Sequence, residues 1–185
     1  MDMRSKALDF CYQNNYRKFY QPIIFIPGVI EIPGKWNNAT RRLSEDLFSD
    51  IYGKTILDLG CHIGYFLREA LKKGAQKAVG VELDTAELSI ANEISSILED
   101  KTEFVEDNLE TYTPNCSFDY ILMLNILDVL TEPKSVIEKY LRFTSERLTI
   151  EHEPDHQRYF PYTPTISYPS PRSHGYRIVS HFEVQ

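Results

Sequence analysis

The stretch Lys54 to Asp84, KTILDLGCHIGYFLREALKKGAQKAVGVELD, constrains the fold of this chain more than any other. Thr55-Ile56-Leu57 is a short apolar run, the pattern of a strand buried on both faces. Asp58-Leu59-Gly60 ends it, and Gly60-Cys61-His62-Ile63-Gly64 forms a glycine-rich turn. From Tyr65 the apolar period lengthens. Phe66, Leu67, Ala70 and Leu71 share one helical face, and Gly74 fits a helix stop. Ala78-Val79-Gly80-Val81 is a second buried strand, ended by Glu82-Leu83-Asp84. Strand, turn, helix, strand in this order predicts an α/β fold.

The polar residues of this stretch have a shared chemistry. Glycines at a strand-to-helix turn let a ligand approach the backbone, and a helix N-terminus favours negative charge. A carboxylate ending the next strand can accept hydrogen bonds from both hydroxyls of a ribose. Glu82 stands there, at about the 20-residue offset of a nucleotide-binding unit. The turn is not the dinucleotide fingerprint G-x-G-x-x-G, because His62 occupies the place of the middle glycine and Tyr65 that of the last. Together with Asp58, this argues against a nicotinamide oxidoreductase.

DLGCHIG and VELD resemble the first two motifs of the class I S-adenosylmethionine-dependent methyltransferases. The resemblance runs from about residue 36 to 153, with later motifs in order. It implies a doubly wound, mainly parallel seven-stranded sheet whose last strand is reversed. It also implies S-adenosylmethionine as cofactor and S-adenosylhomocysteine as product. The cofactor-binding set it implies is Asp58, Gly60, Cys61, His62, Gly64 and Tyr65 at the turn, then Glu82 and Leu83. The side chain of His62 either leans over the methionine end of the cofactor or points to solvent. Thr102 to Val105 reads as a third strand ending at Glu106-Asp107-Asn108, where the family holds adenine. Asp107 is the residue expected on its amino group, with the Asn108 amide facing the ring.

Phe118 to Asn125, FDYILMLN, is a fourth strand. Ligands of open α/β sheets bind outside the carboxyl ends of the strands, so Asn125 and Asp128 are candidates for contact with methyl donor or acceptor. The sequence NILD differs from the [DN]-P-P-[YFW] signature and argues against methylation of planar amino groups. A fifth strand is expected over 147–151, and the last two over 165–168 and 176–184. Helices are expected over 3–20, from Trp36-Asn37-Asn38 with Leu43, Leu47, Phe48 and Ile51 inward, over Thr85 to about residue 99, and from Pro133. In the first, Leu8, Cys11, Tyr12, Asn15, Tyr16 and Phe19 form an aromatic stripe that reads as a packing face. Asp84-Thr85-Ala86-Glu87 resembles a capping box. The chain reads as one methyltransferase-like domain, with residues 1–36 as an N-terminal extension or cap and 37–185 as the core. Trp36 either packs that extension on the core or covers the cleft.

His152-Glu153-Pro154-Asp155-His156 matches H-E-x-x-H, the zinc motif that needs both histidines on one helical face. Proline between them breaks that turn, and no metal is expected. Lining of an acceptor pocket is the preferred role, with His152 a candidate general base beside Glu151 and His156. The net charge of −7 does not invite a polyanion. Residues 1–57 hold 8 basic and 6 acidic side chains, and residues 58–185 hold 12 and 21. Arg41 and Arg42 with Tyr159, Phe160 and Tyr162 keep RNA open as an acceptor, with a small molecule or a protein favoured. No apolar run approaches the ~18 residues that span a bilayer, and Met1 to Tyr20 is too polar for a signal peptide. Cys11, Cys61 and Cys116 show no C-x-x-C pairing and suit free thiols in the cytoplasm. The activity expected is direct methyl transfer to an unidentified acceptor. The runner-up is a non-catalytic subunit of the same fold that binds S-adenosylmethionine.

Overall fold

The computed structural model describes residues 1–14, 18–35, 37–171 and 177–184, and the side chains of 37–39 and 41 also lie outside it. An N-terminal extension comes first: helix α1 (Met3–Gln13), then a hairpin of β1 (Ile23–Ile26) and β2 (Ile30–Ile32). Helix α2 (Asn37–Leu47) leads into the main sheet. Its strands are β3 (Thr55–Leu59), β4 (Lys77–Glu82), β5 (Thr102–Glu106), β6 (Phe118–Leu124), β7 (Thr144–His152), β8 (Ile166–Pro169) and β9 (Ile178–Glu183). They lie in the order β5-β4-β3-β6-β7-β9-β8. β3 to β7 run parallel, and β9 enters antiparallel between β7 and β8. The expected seven-stranded, mainly parallel sheet with a reversed last strand is the one observed.

The crossover helices are α3 (Tyr65–Lys72), α4 (Thr85–Leu98) and α5 (Pro133–Leu141). Each buries the face its periodicity marks: Phe66, Leu67 and Ala70 on α3, Leu88, Ala91, Ile94 and Ile97 on α4, Val136, Ile137 and Tyr140 on α5. Two of the apolar clusters cover the sheet. One gathers Leu43, Leu47, Phe48 and Ile51 with Phe66, Leu122 and Val179, and the other Val136, Ile137 and Tyr140 with Leu57, Ile121, Ile150 and Phe182. A third joins Ala7, Phe10, Phe19, Ile23 and Phe25 of the extension to Ile90, Ile94 and Ile97 of α4. Ile63 of the glycine-rich turn belongs to it, so the extension is seated against that turn.

Several local expectations are corrected. α1 stops at Gln13, and its buried face is Ala7 and Phe10; Leu8 and Tyr12 are exposed. Phe19 is buried beyond the end of α1, and Asn15 and Tyr16 lie outside the described residues. Trp36 and Tyr176 lie outside them too. β7 begins three residues earlier than expected, at Thr144, where it pairs with Phe118. The capping box at α4 is half formed. Asp84 accepts from the Ala86 and Glu87 amides, but its own amide donates to Glu82 Oε1 instead of to Glu87.

Candidate functional site

The carboxyl ends of β3, β4, β5 and β6 surround a cleft of about 480 Å³, within the range of small-molecule sites. Asp58, Gly60, His62, Glu82, Leu83, Asp107, Asn108 and Asn125 line it, with Tyr20 and Gln21 from the extension. The glycine-rich turn is shaped for backbone approach. Gly60 and Gly64 have φ of 72° and 75°. A Cβ on Gly60 would stand 2.9 Å from Ile126 Cγ2, and one on Gly64 2.7 Å from the Phe104 ring. His62 holds the same left-handed conformation at φ 54° without being glycine, and so does Asn125 at φ 63°. Such residues cost of order 1–3 kcal/mol each and cluster at functional sites.

Glu82 ties the turn to β4. Its Oε2 accepts from the His62 amide at 2.9 Å, and its Oε1 from the Leu83 and Asp84 amides at 2.9 and 3.0 Å. A carboxylate has roughly four acceptor positions, so backbone donors fill three of them. The His62 ring lies parallel to Tyr20 with centroids 5.7 Å apart, and its Nδ1 is 3.5 Å from Glu87 Oε2. The Asn125 side-chain amide reaches the Tyr20 hydroxyl at 3.4 Å, while its Oδ1 is buried without a partner among the described residues. Cys61 and Tyr65 are buried beneath the turn. Burial, with the carboxylates of Asp58 and Glu82, pushes the Cys61 thiol well above its ordinary range. The thiol is therefore not a nucleophile in waiting. Asp107 accepts its neighbour's amide, that of Asn108, at 2.7 Å.

Residues 56–146 match the family model described as a methyltransferase domain. The chain belongs to the class I S-adenosylmethionine-dependent methyltransferases. A curated relative, the ribosomal protein L11 methyltransferase of Alteromonas mediterranea, is 36% identical over 97 residues, which is 50% of this chain and 32% of that protein. The chain thus spans about a third of that relative's length. Among solved structures, magnesium protoporphyrin IX methyltransferase from Synechocystis PCC 6803 with bound S-adenosylmethionine superimposes with a TM-score of 0.69 at 12% identity. That match covers 100% of this chain and 98% of the other. A [4+2]-cyclase, SpnF, has a TM-score of 0.54 at 23% identity, over 63% of this chain and 46% of its own. These two structures share the fold.

Around the ends of β7 and β9 that meet the following loop, most polar groups are engaged with one another, while His156 Nδ1 is buried with no partner among the described residues. His152 is buried. Its Nδ1 donates to the Glu153 carbonyl at 2.7 Å, which leaves Nε2 to accept from Ser180 Oγ at 2.8 Å. Burial pulls its pKa below the usual histidine value. Glu151 is buried and accepts from Ser170 Oγ. Asp128 lies 3.1 Å from His156 Nε2 and 3.8 Å from Arg177. Of the expected acceptor-side groups Asn125, Asp128, Glu151 and His152, only Asn125 lines the cleft. The two histidines of H-E-x-x-H are separated: His152 ends β7, while His156 sits in a 3₁₀ segment that Pro154 opens. Glu153, Asp155 and His156 offer ligand atoms within 4.8 Å of one another. Arg177 and Arg158 already face those carboxylates at 3.4 and 2.8 Å. No helix among the described residues is long and apolar enough to cross a membrane.

Tyr20 and Gln21 are absent from the sequence-derived set. They precede the core, and nothing in their local pattern marks them as functional. Only the seating of the extension on Ile63 carries them to the cleft.

Proposed function

We propose that this chain binds S-adenosylmethionine in the cleft and catalyses direct transfer of its methyl group to an acceptor presented near Asn125. One observation carries the reading: four strand ends deliver Asp58, Gly60, Glu82, Asp107 and Asn125 to a single cleft. The residues fit the cofactor. Gly60 and Gly64 hold the turn in a left-handed backbone that other residues rarely adopt, which brings its main chain to the cleft. Glu82 keeps one acceptor position, on Oε2, and takes one ribose hydroxyl there rather than two. Asp107 and Asn108 are placed for the adenine edge, and Leu83 for its face.

When bound, S-adenosylmethionine supplies an electrophilic methyl group on a sulfonium, which needs no metal for activation. The protein's part is to position and to exclude water, which converts a bimolecular encounter into an oriented one. The extension does this by covering the turn with Tyr20 and Gln21, and we assign it as the cap of the domain. Asn125 Oδ1 accepts an N–H or O–H of the acceptor. The new bond would form between the acceptor's lone pair and the methyl carbon as the sulfur–methyl bond breaks, the sulfur keeping that electron pair in S-adenosylhomocysteine, and the acceptor's proton would pass to solvent or to a base that the acceptor brings. His152 is not that base, because both of its nitrogens are engaged.

The acceptor is a protein or a small molecule. The curated relatives are named for ribosomal protein L11, and among the described residues the cleft lining contains no lysine or arginine to hold a phosphate backbone. Phe160 packs on Phe182 and on His152 instead of standing free for a base. The three free cysteines suit a cytoplasmic setting. The fold also carries a [4+2]-cyclase, so binding and turnover need separate tests. Calorimetry with S-adenosylhomocysteine should show one site, and a ligand at 100 times its dissociation constant should add about 2.7 kcal/mol of stability. Transfer of labelled methyl from S-adenosylmethionine to fractions of a cell extract tests catalysis. Absence of binding at millimolar ligand removes the proposal; binding without any transfer favours the scaffold role.

A further inference from the structure

We infer that Arg68 is a positioning residue for the cofactor: from within α3 its guanidinium holds the glycine-rich turn in the shape that receives the ligand. This rests on the cofactor reading above and adds a residue outside DLGCHIG and VELD. α3 buries Tyr65, Phe66, Leu67 and Ala70, as an apolar face should, but it also buries Arg68, which is only 6% exposed. Nη1 of that guanidinium has no hydrogen-bond partner among the described residues. Burial lowers its pKa to about 10, with the Asp100 carboxylate acting in the opposite direction. A cation so placed loses its hydration and recovers little in return. Departures of this kind from the local pattern are expected at functional sites. What Arg68 does gain is one carbonyl. Nη2 donates to the Ile63 carbonyl, to which no backbone amide donates among the described residues.

That carbonyl decides how the turn is held. The amino end of the turn is tied to β4: the Gly60 and Cys61 amides donate to the Val81 carbonyl at 2.8 and 3.1 Å, and the His62 amide to Glu82 at 2.9 Å. At the carboxyl end the Gly64 amide meets the Cys61 carbonyl at 2.9 Å, and Arg68 takes Ile63. Ile63 lies between the left-handed residues His62 and Gly64, and its side chain belongs to the cluster that seats the extension. Gly64 leaves room for the guanidinium, since a Cβ there would stand 3.2 Å from Arg68 Nη1. Gly60 and His62 line the cleft, whereas Arg68 does not. Its effect on a ligand therefore passes through the turn. A turn ordered in advance loses less freedom on binding than one the ligand must order.

Arg68→Met separates this role from packing. Methionine is apolar, and replacing a buried charge by an apolar side chain is often neutral or stabilising. The Ile63 carbonyl loses its donor, which acts the other way. The ligand-free Tm should therefore stay close to that of the wild type. Affinity for S-adenosylhomocysteine, measured by calorimetry, should nevertheless fall roughly tenfold or more. Hydrogen exchange should quicken at the amides of residues 60–64 and stay unchanged in β6. Arg68→Lys, which keeps an N–H donor on a long side chain, should recover part of the lost affinity. Unchanged affinity in Arg68→Met overturns the inference. So does a Tm that falls along with affinity, because Arg68 would then serve packing alone. A wild-type chain that binds no S-adenosylhomocysteine overturns the cofactor reading, and this inference with it.

Discussion

Around β3, β4 and β5 the polar side chains converge on open space, whereas around β7, β8 and β9 they converge on one another. In the first region Asp58, Asp107, Asn125 and Gln21 line one cleft. In the second, His152 is held by Ser180 and Glu153, Glu151 by Ser170, and His181 by Thr149 at 2.8 Å. Both regions contain residues that look catalytic in sequence. The difference shows that polar residues at strand ends mark a candidate site where they border open space and not merely where they are polar. Side-chain networks of the second kind tie strands to one another instead.

Substitutions should therefore divide between the two regions. The largest effect is expected for Gly64→Ala. The left-handed backbone costs about 1–2 kcal/mol for an L residue, and contact with Phe104 adds about 1–3 kcal/mol. Chemical denaturation should show a loss of about 2–4 kcal/mol, and cofactor affinity should fall with it. Glu82→Ala comes next, with roughly tenfold or greater loss of S-adenosylhomocysteine affinity by calorimetry. Glu87→Ala, in the following helix, should bind nearly as the wild type does; equal losses in the two would break the distinction drawn for the turn.

His152→Ala probes the other region. It should cost about 1–3 kcal/mol of stability, since Ser180 and the Glu153 carbonyl lose their buried partner, and leave cofactor affinity unchanged. A fall in affinity would place His152 in the site after all. The response to acid is spread over the widest range of conditions. Burial lowers the His181 pKa to about 4, with Arg147 acting in the same direction, while an unfolded histidine titrates near 6.5. The unfolded chain thus takes up a proton before the folded one does. The contribution of neutral His181 is complete above pH 6.5 and declines as pH falls toward 4. Tm measured across that window should drop less steeply in His181→Gln than in the wild type, and equal slopes would remove His181 as a cause.

The sheet and the cleft's generic chemistry were legible because both are local. Ile56 to Gly80 carries its own strand, turn and helix periods, and Glu82 is reached by a fixed offset. Legibility ended where distant segments supply the partner. Nothing in Gln21 or Tyr20 announces a meeting with Tyr65 and His62. Nothing in His152 announces Ser180, which pairs Ile150 from a strand that follows an aromatic loop. The stripe on α1 misled for the same reason. Aromatic character was read as burial, yet the core of the extension took Ala7 and Phe10, which lie three apart on the face toward α4. His62 shows a third limit. Its side chain disguises a position where the backbone still behaves as glycine.

The place of β9 has a consequence for assembly. It follows every other described strand in the chain, yet it lies inside the sheet, paired to β7 along Arg147–His152 and to β8 along Ile166–Pro169. Until Ile178–Glu183 is available, β7 keeps an open edge and β8 has no ladder to join. The parallel strands that build the cleft can pair in the order they are made, because each returns beside strands already laid down. The antiparallel end cannot. A nascent chain would present the β7 edge to any passing strand for as long as the gap persists, which is the geometry of a strand-addition hazard. The keystone strand thus makes the β7–β8 end of the molecule the last to close, and the one most exposed to a partner that arrives early.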